Sequence, residues 1–345
     1  MLLWLTTNGN ARKAFDGTVG ALLDVYETHP DSTFHALAPS SRHPYSIYLA
    51  RLRVTVGTRR IAAITGLDIL HWHKTWREPD EPGGKEKLAA ARMALTVFKS
   101  ALTFGAPCKL SACKELRETL ILTRLPAPRP RQHAPTADQV VAARFAAQAI
   151  GRPSLALAYA LQFETTLRQW DVIGRWVDLS DPSPSSVLGY GRKWVGLSWS
   201  DIDANRILTV RPHKTDKTSG ATVVVDLSLC PMVLDEMRHV PEERRHGPVV
   251  NDERTDLPYI AEVFSGHWRR NIRPAAGIST QMWNRDLRAG GITEGRRAGA
   301  DRGDTSKLAG HSKPATTSIV YDRDVLEATR RVGKARVARR NDRGT

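Results

Sequence analysis

The sequence predicts a mainly α-helical chain in two domains, the second of which carries a small antiparallel β-sheet. Three observations predict it. The chain has 345 residues, 41% of them hydrophobic, more than one compact core usually needs. Residues 124–135 read RLPAPRPRQHAP, with four prolines and three arginines in twelve positions, a composition that favours an extended, solvated backbone. Helical apolar spacing fills the first third of the chain and returns after Ser279, whereas β-branched runs gather between Val195 and Val225. The expected domains are therefore 1–123, a basic Pro-rich linker at 124–135, and 136–345.

In the first domain the helical segments are Phe15 to Tyr26, Ile47 to Val56, Ile61 to Trp76 and Lys85 to Phe104, separated by Pro, Gly and Ser clusters. In the last of these Leu88, Ala91, Leu95, Phe98 and Leu102 form an apolar stripe, and Lys85, Arg92 and Lys99 recur every seventh residue along another line. One face is predicted to pack and another to be cationic. His71-Trp72-His73 does not read as a metal site, because neighbouring helical side chains diverge by about 100° and no third ligand is suitably spaced. Packing or phosphate contact suits it better.

After the linker, Thr136-Ala137-Asp138-Gln139 has the capping-box pattern and opens a helix. Pro153 to Thr165 reads as a buried helix with Pro153 in its first turn. Val195 to Trp199 and Ile207 to Val210 read as strands. Thr222 to Val225 is placed to pair with the latter, and Lys214 to Gly220 forms the hairpin tip. The chain closes on Val325 to Arg340, where Arg330, Arg331, Lys334, Arg336, Arg339 and Arg340 accumulate.

Charge narrows the function. There are 51 Lys and Arg against 36 Asp and Glu, a formal net charge of +15, which points to a polyanionic partner. The apolar start, Met1 to Leu5, is too short for a signal segment, and no apolar run approaches a membrane span, so a soluble cytoplasmic protein is expected. Cys108, Cys113 and Cys230 form no CxxC pair and read as reduced thiols, and no metal or other cofactor is expected.

The chemistry lies in five short stretches taken in order: Thr166-Leu167-Arg168 followed by Asp171; Lys214-Thr215-Asp216-Lys217; Arg285-Asp286-Leu287-Arg288; Gly310-His311-Ser312; and Tyr321. With these the chain resembles the tyrosine recombinase family, the phage-type integrases, over most of its length. Breaking a DNA phosphodiester without a metal takes an in-line nucleophile, cations for the charge gathering on the non-bridging oxygens, and an acid for the departing 5′ oxygen. Tyr321 is the candidate nucleophile; its phenol ordinarily ionises near pH ~10, so neighbouring cations must favour the phenolate. Arg168 and Arg288 are the candidate phosphate clamp, because a planar guanidinium donates two parallel hydrogen bonds and stays charged. Lys214, with Lys217 as a substitute, is the candidate acid, and His311 donates to a phosphate oxygen.

Two features depart from the family pattern. Arg285 stands where members usually carry a histidine, and arginine cannot act as a base near neutral pH. His311 and Tyr321 lie one residue further apart than the pattern, which shifts a helical side chain by about 100° unless a loop absorbs it.

The resemblance implies a helical core-binding domain at 1–123 and an α+β catalytic domain at 136–345 that close on double-stranded DNA. Lys85, Arg92, Lys99, Arg129, Arg131 and Lys217 are the expected further DNA contacts. It also implies a homo-tetramer on attachment sites, with a monomer off DNA, a directionality factor as a further partner, and a C-terminal segment, 325–345, passed to a neighbouring subunit. Integration and excision of a mobile element in a bacterial cytoplasm, through a 3′-phosphotyrosyl intermediate, is the expected function. The alternatives are a type IB topoisomerase-like enzyme and a non-catalytic DNA-binding descendant of a recombinase.

Overall fold

A computed structural model describes residues 15–110, 112–128, 131–213, 222–310 and 322–342. Contacts divide the chain into two compact units, Met1–Arg131 and Gln132–Thr345, with the cut inside the Pro-rich stretch. Arg129 lies outside the described residues, and Arg131 is exposed just before the cut.

The N-terminal unit contains helices α1 (Val19–Thr28), α2 (Pro39–Val56), α3 (Gly66–Arg77), α4 (Leu88–Gly105) and α5 (Cys113–Leu122). The predicted segment from Ile61 to Trp76 is divided: a 3-10 turn, Ile61–Ala63, precedes α3, because Thr65 and Asp68 form a reciprocal capping box that starts a new helix. The helix predicted from Ile47 begins earlier, at Pro39, whose fixed φ suits a first turn. Helix α5 escaped the sequence reading. Its apolar residues Cys113, Leu116 and Leu120 are buried, but Leu122 is exposed and blurs the pattern.

Ala91, Leu95, Phe98 and Leu102 of the α4 stripe are all buried, and Trp72 meets Phe98 edge-on with ring centroids 6.4 Å apart. The unit is held by this shared apolar interior, at about 1.5–3 kcal/mol for each large side chain removed from water. The cationic line is shorter than expected. Glu81 to Gly84 forms a turn with Gly83 at φ +78°, so Lys85 precedes the helix, and only Arg92 and Lys99 are carried on its exposed face.

The C-terminal unit opens with α6 (Ala137–Ala149), capped by Thr136 and Gln139 as expected, and α7 (Pro153–Glu164), which is buried from Leu155 onward. A short α8 (Gln169–Ile173) leads into β1 (Arg175–Val177), β2 (Leu188–Gly189) and β3 (Arg192–Val195), an antiparallel sheet in the order β1-β3-β2. The strand expected over Val195 to Trp199 thus ends at Val195. The chain then turns through Gly196, and Ser198 and Asp201 cap a 3-10 turn at Trp199. The hairpin of β4 (Ile207–Val210) and β5 (Val223–Asp226) has the expected antiparallel pairing, with Val210 opposite Val223. Its predicted tip, including Lys214 and Lys217, lies outside the described residues.

Beyond it come α9 (Pro231–Met237), the small pair β6 (Asn251–Asp252) and β7 (Leu257–Pro258), and α10 (Ala261–His267). A π turn (Trp268–Ile272) joins α10 to α11 (Arg273–Ala275). A 3-10 turn (Asn284–Asp286) then opens α12 (Leu287–Arg297), followed by α13 (Arg302–Leu308) and α14 (Asp322–Asn341). The fold is mostly helical with small antiparallel sheets, as the sequence predicts. Among the described residues no helix is long and apolar enough to cross a membrane.

Helix α14 carries arginines that are bound within the same unit. Arg336 is buried and donates to the Glu164 and Phe163 carbonyls and to Glu294. Arg340 reaches the Glu164 carboxylate at 2.5 Å and Glu294 at 2.8 Å, and these carboxylates hold its guanidinium above its ordinary pKa despite burial. Arg330 and Arg331 pair with Asp226 and Asp304, each at 2.9 Å. Glu164, which by spacing suits an i, i+4 pair with Arg168, is therefore engaged elsewhere.

Helix α12 reaches α7 through two adjacent glycines. A Cβ at Gly291 would lie 1.8 Å from the Phe163 carbonyl oxygen, and one at Gly290 would lie 2.4 Å from that of Pro135. Gly291→Ala must therefore push the helices apart. We expect a loss of about 1–3 kcal/mol, read as a lower urea midpoint at unchanged slope. Unchanged stability would show that this approach is not needed.

Candidate active site

Helix α7 ends at Glu164, and the chain leaves it through Thr166, a non-glycine residue with φ +54°. Threonine in the left-handed region is strained, and here the surroundings hold it: its Oγ1 donates to the Leu308 carbonyl at 3.3 Å, and its own carbonyl accepts from Arg288 Nη1. The kink delivers Arg168 as the cap of α8, with Asp171 one turn on. Asp171 is buried. Its Oδ2 lies 3.7 Å from Arg168 Nη1 and accepts the Arg168 backbone N–H at 3.3 Å.

Arg288 is the second residue of α12. Its guanidinium donates through Nη1 to Thr166 O and through Nη2 to Ala309 O, the residue before Gly310. Its pKa is lowered to about 10, first by burial and then by the neighbouring charge of Arg168, with Asp171 opposing. The two predicted clamp arginines are thus electrostatic neighbours. Arg168 Nη1 is buried with no hydrogen-bond partner among the described residues. Two guanidiniums against one carboxylate leave a local excess of positive charge, and one N–H donor lacks an acceptor. That combination is chemically suited to an oxyanion.

The same carboxylate fixes the root of the β4–β5 hairpin. Asp171 Oδ1 accepts the His213 backbone N–H at 3.1 Å, and Arg175 Nη2 lies 2.7 Å from His213 Nδ1. Arginine has no lone pair to offer, so His213 Nδ1 is the acceptor and the ring is neutral in this contact. Lys214 is the next residue in sequence and lies outside the described residues, as do His311 and Tyr321. What is described is how the chain approaches each of the first two. His213 is tied to Asp171. Gly310, at φ +55°, lies so close to β5 that a Cβ would meet Val223 Cγ2 at 2.9 Å, while Arg288 holds the Ala309 carbonyl just before it.

Arg285 occupies the 3-10 turn before α12. It is exposed, and its guanidinium lies 5.1 Å from the Trp283 ring centroid, a cation–π contact that organises the side chain at the surface. Asp286 beside it is buried and caps the Trp283 N–H at 2.9 Å. Thr166 was quoted from sequence only as part of the Arg168 motif, without its strained backbone, and Arg175, His213 and the Gly290-Gly291 pair were not picked out. Only the glycine pair carries a usable signal, since two glycines in a helical stretch suggest close packing.

No protein-family model matches the sequence, and no curated protein does. Solved structures match strongly in fold. A lambda integrase (75–356) dimer bound to a COC′ core site superposes with a TM-score of 0.64 at 17% identity, covering 90% of this chain and 95% of that one. The Tn1549 transposon integrase in complex with transposon right end DNA gives 0.63 at 14% identity, covering 90% and 98%. A lambda integrase tetramer bound to a Holliday junction gives 0.62 at 18% identity, covering 87% and 76%. The resemblance to tyrosine recombinases read from the motifs therefore holds at the level of the fold.

An oxyanion that binds between Arg168 and Arg288 must stabilise the folded protein by mass action. Inorganic phosphate should raise the melting temperature of the wild type more than that of Arg168→Ala at matched ionic strength. An equal rise in both would reflect only the general salting effect and would remove the site.

Proposed function

We propose that this chain is a site-specific DNA recombinase that cuts and rejoins duplex DNA through a 3′-phosphotyrosyl intermediate, in the integration and excision of a mobile element. The observation that carries the reading is the convergence of Arg168 and Arg288 on one site. Arg288 also anchors Ala309, next to the Gly310-His311 motif. The integrase fold supports it, since relatives in fold at this coverage are bound to core-site, transposon-end and junction DNA.

In this reading Arg168 and Arg288 hold the non-bridging oxygens of the scissile phosphate, and His311 donates to one of them. The Tyr321 phenol gives up its proton to water, another residue or a substrate oxygen, its oxygen attacks phosphorus in line, the P–O5′ bond breaks, and Lys214 or Lys217 passes a proton to the departing 5′ oxygen. The energy of the broken ester stays in the phosphotyrosyl bond, so rejoining needs no nucleotide cofactor, and no metal is required. Duplex attachment sites are the substrate and a homo-tetramer on two duplexes is the working assembly.

The test is to incubate the protein with its attachment DNA and look for a covalent adduct. We expect one in the wild type, none in Tyr321→Phe, and a loss of about 10²–10³-fold in cleavage rate for Arg168→Ala. No adduct in the wild type, or an adduct in Tyr321→Phe, rejects the mechanism.

The exposed, Trp283-stacked Arg285 favours a second reading, a DNA-binding protein descended from a recombinase. Arg285→His separates the two: a large gain in cleavage would mark a decayed site, and a small or negative effect would mark arginine as the working residue.

A further inference from the structure

His73 is unexplained by the reading above. It lies on α3, is 2% exposed, and its Nε2 has no hydrogen-bond partner among the described residues, although leaving a buried ring nitrogen unpaired is costly. It lines a cavity of about 270 Å³ whose polar rim is Arg92, Thr96 and Lys99 of α4, with Thr123 beyond the end of α5. Arg92, Thr96 and Lys99 are exposed, and all lie on one face of α4, spaced four and three residues apart. The rest of the wall is apolar, formed chiefly by Leu95, Leu120, Ile121 and Leu125, and among the described residues no carboxylate lines it.

The charges around the imidazole point one way. Arg77 on its own helix and Arg92 on α4 act on it, and burial, foremost, together with these two cations holds it below its ordinary pKa. Glu86, in the segment before α4, opposes them, but it is engaged with Arg77 at 3.7 Å. Lys99 adds a third positive group from α4, and α5 presents uncharged residues to the cavity. One imidazole among cations is no metal site. An anion supplies what the pocket lacks: an acceptor or proton-sharing partner for Nε2 and a counter-charge for Arg92 and Lys99.

We propose that the cavity bounded by His73, Arg92, Thr96 and Lys99 seats a phosphate group of the DNA backbone, with His73 Nε2 as a direct ligand of one of its oxygens. The backbone is the source because both cations open to solvent on a chain of net charge +15, which favours a polyanion over a lone ion. This rests on the recombinase reading only in taking duplex DNA as the partner. The contact is sequence-independent and coupled to protons: binding the phosphate favours the imidazolium, so affinity rises as pH falls towards the pKa of His73.

The full-length protein is titrated with a short duplex of arbitrary sequence, and separately with inorganic phosphate, while the His73 ring signals are followed by NMR against pH. Micromolar duplex should move those signals and raise the His73 pKa. Each unit of that rise gives about tenfold in affinity between a pH above the bound-state pKa and one below the free-state pKa, which lies under the ordinary imidazole value. His73→Gln keeps a donor without titration and should flatten this pH dependence, and Arg92→Ala and Lys99→Ala should each lower the salt slope by about 1. Ring signals unmoved by saturating duplex, or an unchanged pH profile in His73→Gln, would overturn the assignment. So would equal shifts from equal concentrations of inorganic phosphate. Because the wild-type spectrum decides, the test survives a variant that fails to fold. Adduct formation through Tyr321 is scored separately, so failure of the cleavage chemistry leaves this contact standing, and the reverse.

Discussion

The Arg288 guanidinium holds together three parts of the C-terminal unit that are distant in sequence. It sits at the start of α12, bonds the carbonyl of Thr166 at the kink after α7, and bonds the carbonyl of Ala309 at the end of α13. A charged donor in a partly dry setting makes hydrogen bonds of about 1.5–3 kcal/mol, more than neutral ones, and its planar fork fixes direction as well as distance. The Thr166 kink sets where Arg168 projects, Asp171 follows from Arg168, and the hairpin root at His213 follows from Asp171. Loosening Arg288 would release each of these positions together.

That tie carries an electrostatic cost. Arg288 is pulled down towards about 10 by burial and by Arg168, so the folded protein holds two like charges close together with one carboxylate between them. Such an arrangement is poor for stability and good for an anion, because a bound phosphate removes the repulsion that the empty fold must bear. The N-terminal unit repeats the theme with different chemistry. There a buried imidazole and two exposed cations face a cavity whose described lining holds no carboxylate. Elsewhere arginines are matched by acids: Arg336 and Arg340 by Glu164 and Glu294, and Arg144 by Glu236 at 2.6 Å. The contrast separates cations that brace the fold from those left for a partner.

Much of the architecture was legible because it rests on local rules. The capping box at Thr136, the buried run of α7 and the β-branched pair of the β4–β5 hairpin each declare themselves in a few residues. The errors came where a distant or competing contact prevailed. Lys85 fits the seven-residue cationic line by spacing, but the turn at Gly83 removes it from the helix. The sequence shows arginines accumulating after Val325 but not their partners: Glu164 and Glu294 draw Arg336 and Arg340 inward.

By itself the sequence determined the mainly helical plan with small antiparallel sheets, the positive charge, and the order of Arg168, Arg288 and their companion motifs. All of these are properties of spacing and residue type along one line. Tertiary structure alone decided that Arg168 and Arg288 are neighbours, that Thr166 takes a strained conformation to make them so, and that Gly290 and Gly291 let α12 close on α7. It likewise decided that His73 is buried with a ring nitrogen that has no partner among the described residues. The physical reason is that charge repulsion, desolvation and close approach depend on distances between residues far apart along the chain, and no local pattern of residues encodes those distances.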